Sequence, residues 1–230
     1  MYPIGFYDVT YILVIIGVVL CLAAQSQVKS TYRRYSSVQA ASGITGAEAA
    51  QRILQQSGIY DVSVARVAGE LTDHYDPRTK TLRLSDSVYG RSSVAAVSVA
   101  AHECGHAVQD NVNYLPLRLR SNMVPAANIC AQISWPMIFI GMVLGWNHLL
   151  IEIGIILFTA VVLFHFVTLP VELNASSRAL RILDSSGILS GQENDYARKV
   201  LRAAAMTYIA SAASMALQLL RLILLNRRND

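Results

Sequence analysis

Apolar and polar stretches alternate along the chain in a way that separates membrane spans from a water-facing body. The first apolar run, residues 9–24 (VTYILVIIGVVLCLAA), is long enough to cross the hydrocarbon core if Tyr7 and Gln25-Ser26 reach the interfaces. Two more runs, 125–144 and 149–169, are joined only by Gly145-Trp146-Asn147-His148 and predict a transmembrane hairpin. Pro136 is expected to kink its first arm, Trp146 to sit at the outer interface, and Glu152 to fall near the outer end of its second arm. The last apolar segment, 203–225, is interrupted by Arg221. An interfacial or packing helix is favoured there over a fourth span, because a span would carry Arg221, Arg227 and Arg228 outward against the positive-inside rule.

Between the first and second runs the pattern changes to that of a small α+β body. Thr45-Gly46-Ala47-Glu48 is a capping box that opens a helix through Ala49, Ala50, Ile53 and Leu54, with Gly58 ending it. Val62-Ser63-Val64-Ala65-Arg66-Val67 alternates like a half-buried strand, and another extended segment is expected at 71–75. Asp76-Pro77-Arg78-Thr79 is a turn. Thr81-Leu82-Arg83-Leu84-Ser85 alternates again, either as a hairpin arm covering the next helix or as a sheet edge on which an extended peptide is held by main-chain bonds. The run Ser93 to Ala101 (SVAAVSVAA) then leads into a buried helix with no Gly or Pro to interrupt it.

Composition sharpens this picture. At 53% hydrophobic and 15% charged residues the chain is too apolar for an ordinary soluble domain. The segment before the first run has no Lys or Arg and includes Asp8, whereas Lys29, Arg33 and Arg34 follow it, the reverse of a cleaved signal's basic start. The same asymmetry puts the N-terminus outside and the following body in the cytoplasm. Arg118 and Arg120 before the hairpin, and Arg178 and Arg181 after it, keep both its flanks inside. The net charge of +4 is thereby explained by topology, and no nucleic-acid partner is expected. Cys21, Cys104 and Cys130 make no disulfide framework. The expected fold class is membrane α+β: a transmembrane helix at 7–25, a cytoplasmic α+β part at 26–122, a transmembrane hairpin at 123–169, a cytoplasmic helical part at 170–202, and an apolar C-terminal helix with a basic tail at 203–230.

The chemistry sits in His102-Glu103-Cys104-Gly105-His106. Two histidines four apart on a helix point the same way and can bind one Zn²⁺, and the glutamate between them then lies beside the metal, where it can take a proton from the attacking water. Cys104 is rotated about 200° from His102 around the helix and is expected to pack rather than react. A catalytic zinc needs a third protein ligand. Gln109 and Val112 stand where an extended HExxHxxGxxH motif would need glycine and histidine. His148 and Glu152 fall on the wrong side of the membrane, and His74 and His165 are expected to be structural. Glu172 follows the hairpin's return at Pro170, where a helix is expected to start, and two spans between it and His106 leave both on one side. Asp184, Glu193 and Asp195 are the fallback carboxylates.

HECGH preceded by LTDHYDPRTKTLRLS and followed by a membrane hairpin and PVELNAS resembles the bacterial neutral zinc metallopeptidases of the YugP type, integral-membrane relatives of the HtpX-type gluzincins. The resemblance covers nearly the whole chain. It implies a small gluzincin-like α/β protease domain, His102, His106 and Glu172 as zinc ligands and Glu103 as catalytic base. One departure stands out: Ser176 occupies the place, four residues after the ligand glutamate, where many gluzincins carry an aspartate that orients a zinc histidine, and Asn174 or Ser176 is left to supply that bond. The expected function is a zinc endopeptidase at the cytoplasmic face of a bacterial plasma membrane, cutting membrane or misfolded proteins, with a membrane adaptor or homo-oligomer compatible with it. Arg178, Tyr208 and His74 are candidates for stabilising the oxyanion. Two alternatives remain open to the residues. One is a site-2-type intramembrane protease using Asp184, against which Arg91 and Asp110 bracket the HECGH helix too closely for a span. The other is a non-catalytic scaffold or sensor with a structural metal site, which would have no use for Glu103.

Overall fold

A computed structural model describes residues 9–228. Its elements run α1 Tyr11–Ser36, α2 Gly46–Gln56, β1 Ser63–Val67, β2 His74–Asp76, β3 Thr81–Ser85, α3 Val94–Asn111, α4 Leu115–Val143, α5 His148–Ser185 and α6 Gln192–Arg228. The chain divides into two compact units: residues up to 24, 119–169 and from 207 form one, and residues 25–118 and 170–206 form the other. The expected interfacial place of Tyr7, and the start of the first span, lie outside the described residues.

The first unit is built from the apolar parts of α1, α4, α5 and α6. Among the described residues these four helices are long and apolar enough to cross a membrane. The segment from 203 thus belongs to one unbroken α6, which qualifies as a span by length and composition despite Arg221. Arg221 lies over the Tyr11 ring, 4.2 Å from its centroid, a cation–π contact that lowers the cost of a charge among apolar helices. A small core of Ile138, Phe158, Val162 and Leu222 joins these helices, while Ile12, Phe139, Ile156 and Leu220 stay exposed. Such faces need lipid around them. The α4–α5 turn uses Gly145 at φ +77°, a left-handed position that glycine adopts without strain.

The second unit is organised around α3. Its N-cap is Ser93, whose hydroxyl accepts from Ala96 N, and its sides are covered by α2, the sheet, and the continuing parts of α5 and α6. Ala50, Leu82, Leu84, Val97, Ala179 and Leu183 are all fully buried in this core. α2 opens with the expected capping box, Thr45 accepting from Glu48 N while the Glu48 carboxylate accepts from Thr45 N at 2.7 Å. The Asp76 carboxylate organises the expected turn by accepting from Arg78 N and Thr79 Oγ1.

Two expectations are corrected here. Thr81–Ser85 is not a sheet edge: β3 lies in the middle of a three-stranded sheet, order β1-β3-β2, parallel to β1 and antiparallel to β2. Its alternation reflects burial of Leu82 and Leu84 against α3, and both of its backbone edges are already paired, so no substrate strand can add to it. No helix starts at Pro170 either, because α5 runs through it to Ser185. The proline forfeits one backbone bond, but ending the helix there would expose more backbone polar groups at the end of an apolar segment than it spares. Glu172 is consequently held on a long, continuous helix rather than at a helix start.

Candidate metal centre

α3 and α5 meet at Gly105 and Ala175. A Cβ placed on Gly105 would come within 2.5 Å of Ala175 O, so the absence of a side chain is what permits this approach. The closeness lets His102 and His106 on α3 face Glu172 on α5. Their nitrogen and oxygen donors all lie within 4.8 Å of one another, and all three residues are largely shut off from solvent. Glu172 Oε2 is 3.3 Å from His102 Nε2 and 3.6 Å from His106 Nε2. Both distances are long for a hydrogen bond, which clusters near about 2.9 Å. They match the edge of a tetrahedron instead, since two ligands each about 2.1 Å from one ion sit about 3.4 Å apart.

The environment behind the rings supports the same reading. His106 Nδ1 meets Gln109 Oε1 at 3.0 Å, and Gln109 Nε2 donates to Val171 O at 2.8 Å and to Asn174 Oδ1 at 3.0 Å. Arg178 Nε donates to the same Asn174 oxygen at 2.7 Å. Arginine can only donate, which fixes the Asn174 oxygen on its side. That oxygen requires the Gln109 amide to face it with nitrogen, and the Gln109 oxygen then requires a proton on His106 Nδ1. In the neutral ring His106 Nε2 is then left with its lone pair, pointing at a carboxylate oxygen that also carries lone pairs. Positive charge between them, a second ring proton or a metal ion, stabilises this arrangement, and two imidazoles with a carboxylate form a donor set that fits a divalent cation. His102 Nδ1 is met by Ser176 Oγ at 3.2 Å, where a hydroxyl can give or take the proton.

Burial alone would raise the Glu172 carboxyl, but the two imidazoles facing it outweigh burial and hold it well below the usual carboxylate range. Glu103, between the histidines, behaves oppositely: burial pushes it up to about 7, charge on His102 opposes the shift, and the carboxylates of Glu172 and Asp73 add to it. A carboxyl in this range can both accept and release a proton near neutrality.

The remaining sequence candidates lie elsewhere or have other partners. Asp184 accepts from Asn194, Glu193 from the Ala41 backbone, and Asp195 pairs with Arg198, so none of the fallback carboxylates joins the cluster. His165 stands in the helical unit beside Phe164, and His148 begins α5. His74, on β2, has its Nδ1 on Thr72 O at 2.9 Å. Arg178 is engaged with Asn174 and lies over the Tyr114 ring, and Tyr208 belongs to the helical unit. Cys104 is fully buried with its thiol on Ala50 O at 3.6 Å, and burial raises its pKa, so it packs as expected. In the sequence Gln109 shows only as a departure from a longer motif. The signal was nonetheless present, because a glutamine three residues after His106 shares its helix face, and a polar residue on a buried helix needs partners.

Comparison with known proteins adds a family to this geometry. Residues 10–227 match the family described as "Putative neutral zinc metallopeptidase". A protein of Bacillus subtilis (strain 168) named "Putative membrane protease YugP" is 48% identical over 209 residues, covering 90% of this chain and 92% of that protein. No solved structure matches the chain.

Proposed function

Because the chain belongs to the neutral zinc metallopeptidase family, we propose that it is a gluzincin-type zinc endopeptidase with His102, His106 and Glu172 as metal ligands and Glu103 as general base. The observation that carries this reading is the convergence of three lone-pair donors from α3 and α5 at tetrahedral spacing, with a buried carboxyl of raised pKa beside them. Zinc held there supplies Lewis acidity to a water and to the scissile carbonyl.

The chain's own groups do the rest. Glu103 takes the proton of the attacking water as its oxygen bonds to the peptide carbonyl carbon, then delivers a proton to the amine nitrogen as the C–N bond breaks. Gln109 and Ser176 keep the two imidazoles turned with Nε2 inward. The packed core around α3 excludes water from the far side of His106, where Gln109 is fully buried. This reading keeps the sequence-based sidedness, with the second unit on the cytoplasmic side of a bacterial plasma membrane and polypeptides near the bilayer as substrates, and departs from the favoured interfacial helix by taking α6 as a fourth span on its length and apolar content. Quality control or processing of membrane proteins is the role that fits a cutter placed there.

Glu103→Gln tests the assignment. Purified with bound zinc, the variant is expected to keep wild-type metal content and lose cleavage of an unfolded protein substrate by about a thousandfold or more. Retained cleavage in the zinc-loaded variant would assign the base elsewhere. Loss of both zinc and cleavage would show that Glu103 holds the site together rather than moving a proton.

A further inference from the structure

We propose that the cavity between the solvent-side parts of α5 and α6 binds the phosphate headgroup of an anionic phospholipid. The cavity has a volume of about 360 Å³ and lies wholly within the second unit. Leu173, Leu180 and Leu201 form its apolar wall, and Arg181, Arg198 and Arg202 line it from the two helices. No acidic residue is among the described residues lining it. Three guanidinium groups around one apolar hollow repel one another, and an anion among them relieves that repulsion while matching the planar forks with which arginine grips phosphate.

Two of the three cations have only weak partners. Arg198 meets Asp195 at 3.8 Å with both side chains more than half exposed, a contact of little strength in water. Arg181 uses only its Nε, on Ser177 O at 3.4 Å. An inorganic anion would use the arginines but leave the leucines idle, and Leu173 is 46% exposed. A phospholipid uses both, its phosphate on the arginines and the first carbons of its chains on the leucines. Connectivity places the cavity suitably. Leu173 follows Leu169 by four residues and Ala205 precedes Thr207 by two, so on each helix the cavity begins within about one turn of the apolar stretch.

A peptide substrate is the less fitting occupant. The cavity wall includes Ser176, whose hydroxyl meets His102 at Nδ1, so the cavity lies behind that ring and away from the Nε2 side where the ligands converge. The inference rests on α5 and α6 being spans and not on the proposed hydrolysis, so binding is read without a protease assay.

The test uses the full chain, purified and delipidated in detergent, titrated separately with phosphatidylglycerol and phosphatidylcholine and followed by native mass spectrometry. Wild type is expected to retain one phosphatidylglycerol per chain with a preference of about tenfold or more over phosphatidylcholine. The combined variant Arg181→Gln, Arg198→Gln, Arg202→Gln should lose that preference, and Arg202→Gln alone should lose part of it if the triple variant does not fold. A control with the same charge change outside the cavity, Lys29→Gln, Arg33→Gln, Arg34→Gln, should keep it. Equal retention of the two lipids, or equal loss in the control, would overturn the proposal. So would displacement of the lipid by inorganic phosphate at equal concentration, which marks a free-anion site, or by an acidic peptide, which marks a substrate subsite.

Discussion

Behind His106 stands a carboxamide held on both its atoms; behind His102 stands a hydroxyl on the wall of an open cavity. Gln109 is fully buried and bonded to His106, Val171 and Asn174, and Asn174 is pinned in turn by Arg178. Ser176 offers His102 one rotatable O–H at 3.2 Å. The two imidazoles sit four residues apart on one helix and face the same carboxylate oxygen, yet one has its proton position dictated by a chain of directional donors and the other is free to adjust. A metal bound here would need one firmly oriented ligand to set the geometry. The second can follow the ion.

The largest effect on this comparison comes from removing what both sides share. Gly105→Ala would place a methyl group within 2.5 Å of Ala175 O, a backbone atom that cannot swing aside. α3 and α5 must then separate, and Glu172 recedes from both histidines together. The expected outcome is a loss of zinc affinity of more than about a hundredfold, beyond the range typical of groups that only orient ligands, measured by chelator competition on the solubilised chain. A folded variant with wild-type affinity would show that the helix contact yields without cost to the site.

Next is Gln109→Leu, which keeps much of the volume but removes the bonds of residue 109 to His106 Nδ1, Val171 O and Asn174 Oδ1, the last of which keeps Arg178 as its donor. Zinc affinity should fall by about tenfold to a hundredfold. Gln109→Glu separates orientation from packing: a carboxylate restores the acceptor for His106 Nδ1 while turning a second acceptor toward Val171 O and Asn174 Oδ1. It should recover part of the affinity at the expense of thermal stability. If the leucine and glutamate variants bind zinc equally, the amide fills space and does not set the tautomer.

The asymmetry also marks how far residue patterns reach. Cap residues and apolar periodicity made α2 and α3 legible, because Thr45, Glu48 and Ser93 act on backbone groups within a few residues of themselves. HECGH was legible because helical spacing alone puts His102 and His106 on one face. Glu172 came within reach through the count of spans, a global argument that needs no contact. The sheet order was not legible, since the alternation of Thr81–Ser85 reports one buried face and says nothing of which strands flank it. The passage of α5 through Pro170 was hidden too, because local preference at a proline gives way to the cost of freeing backbone groups. The partnership of Gln109 with Val171 and Asn174 spans more than sixty positions of sequence and depends on a helix approach that only Gly105 permits.

The smallest effect is expected at Ser176→Ala. The hydroxyl gives His102 a single neutral bond at a length where such bonds are weak, and removing it leaves Nδ1 beside a cavity that water can enter rather than in a sealed core. A water can take over the role of the hydroxyl there, as it cannot behind His106, where Gln109 is fully buried. Zinc affinity should therefore fall by less than about tenfold, below the range expected for Gln109→Leu. A Ser176→Ala loss as large as that of Gln109→Leu would mean that His102 is held as firmly as His106 and that the difference between the two sides has no energetic counterpart.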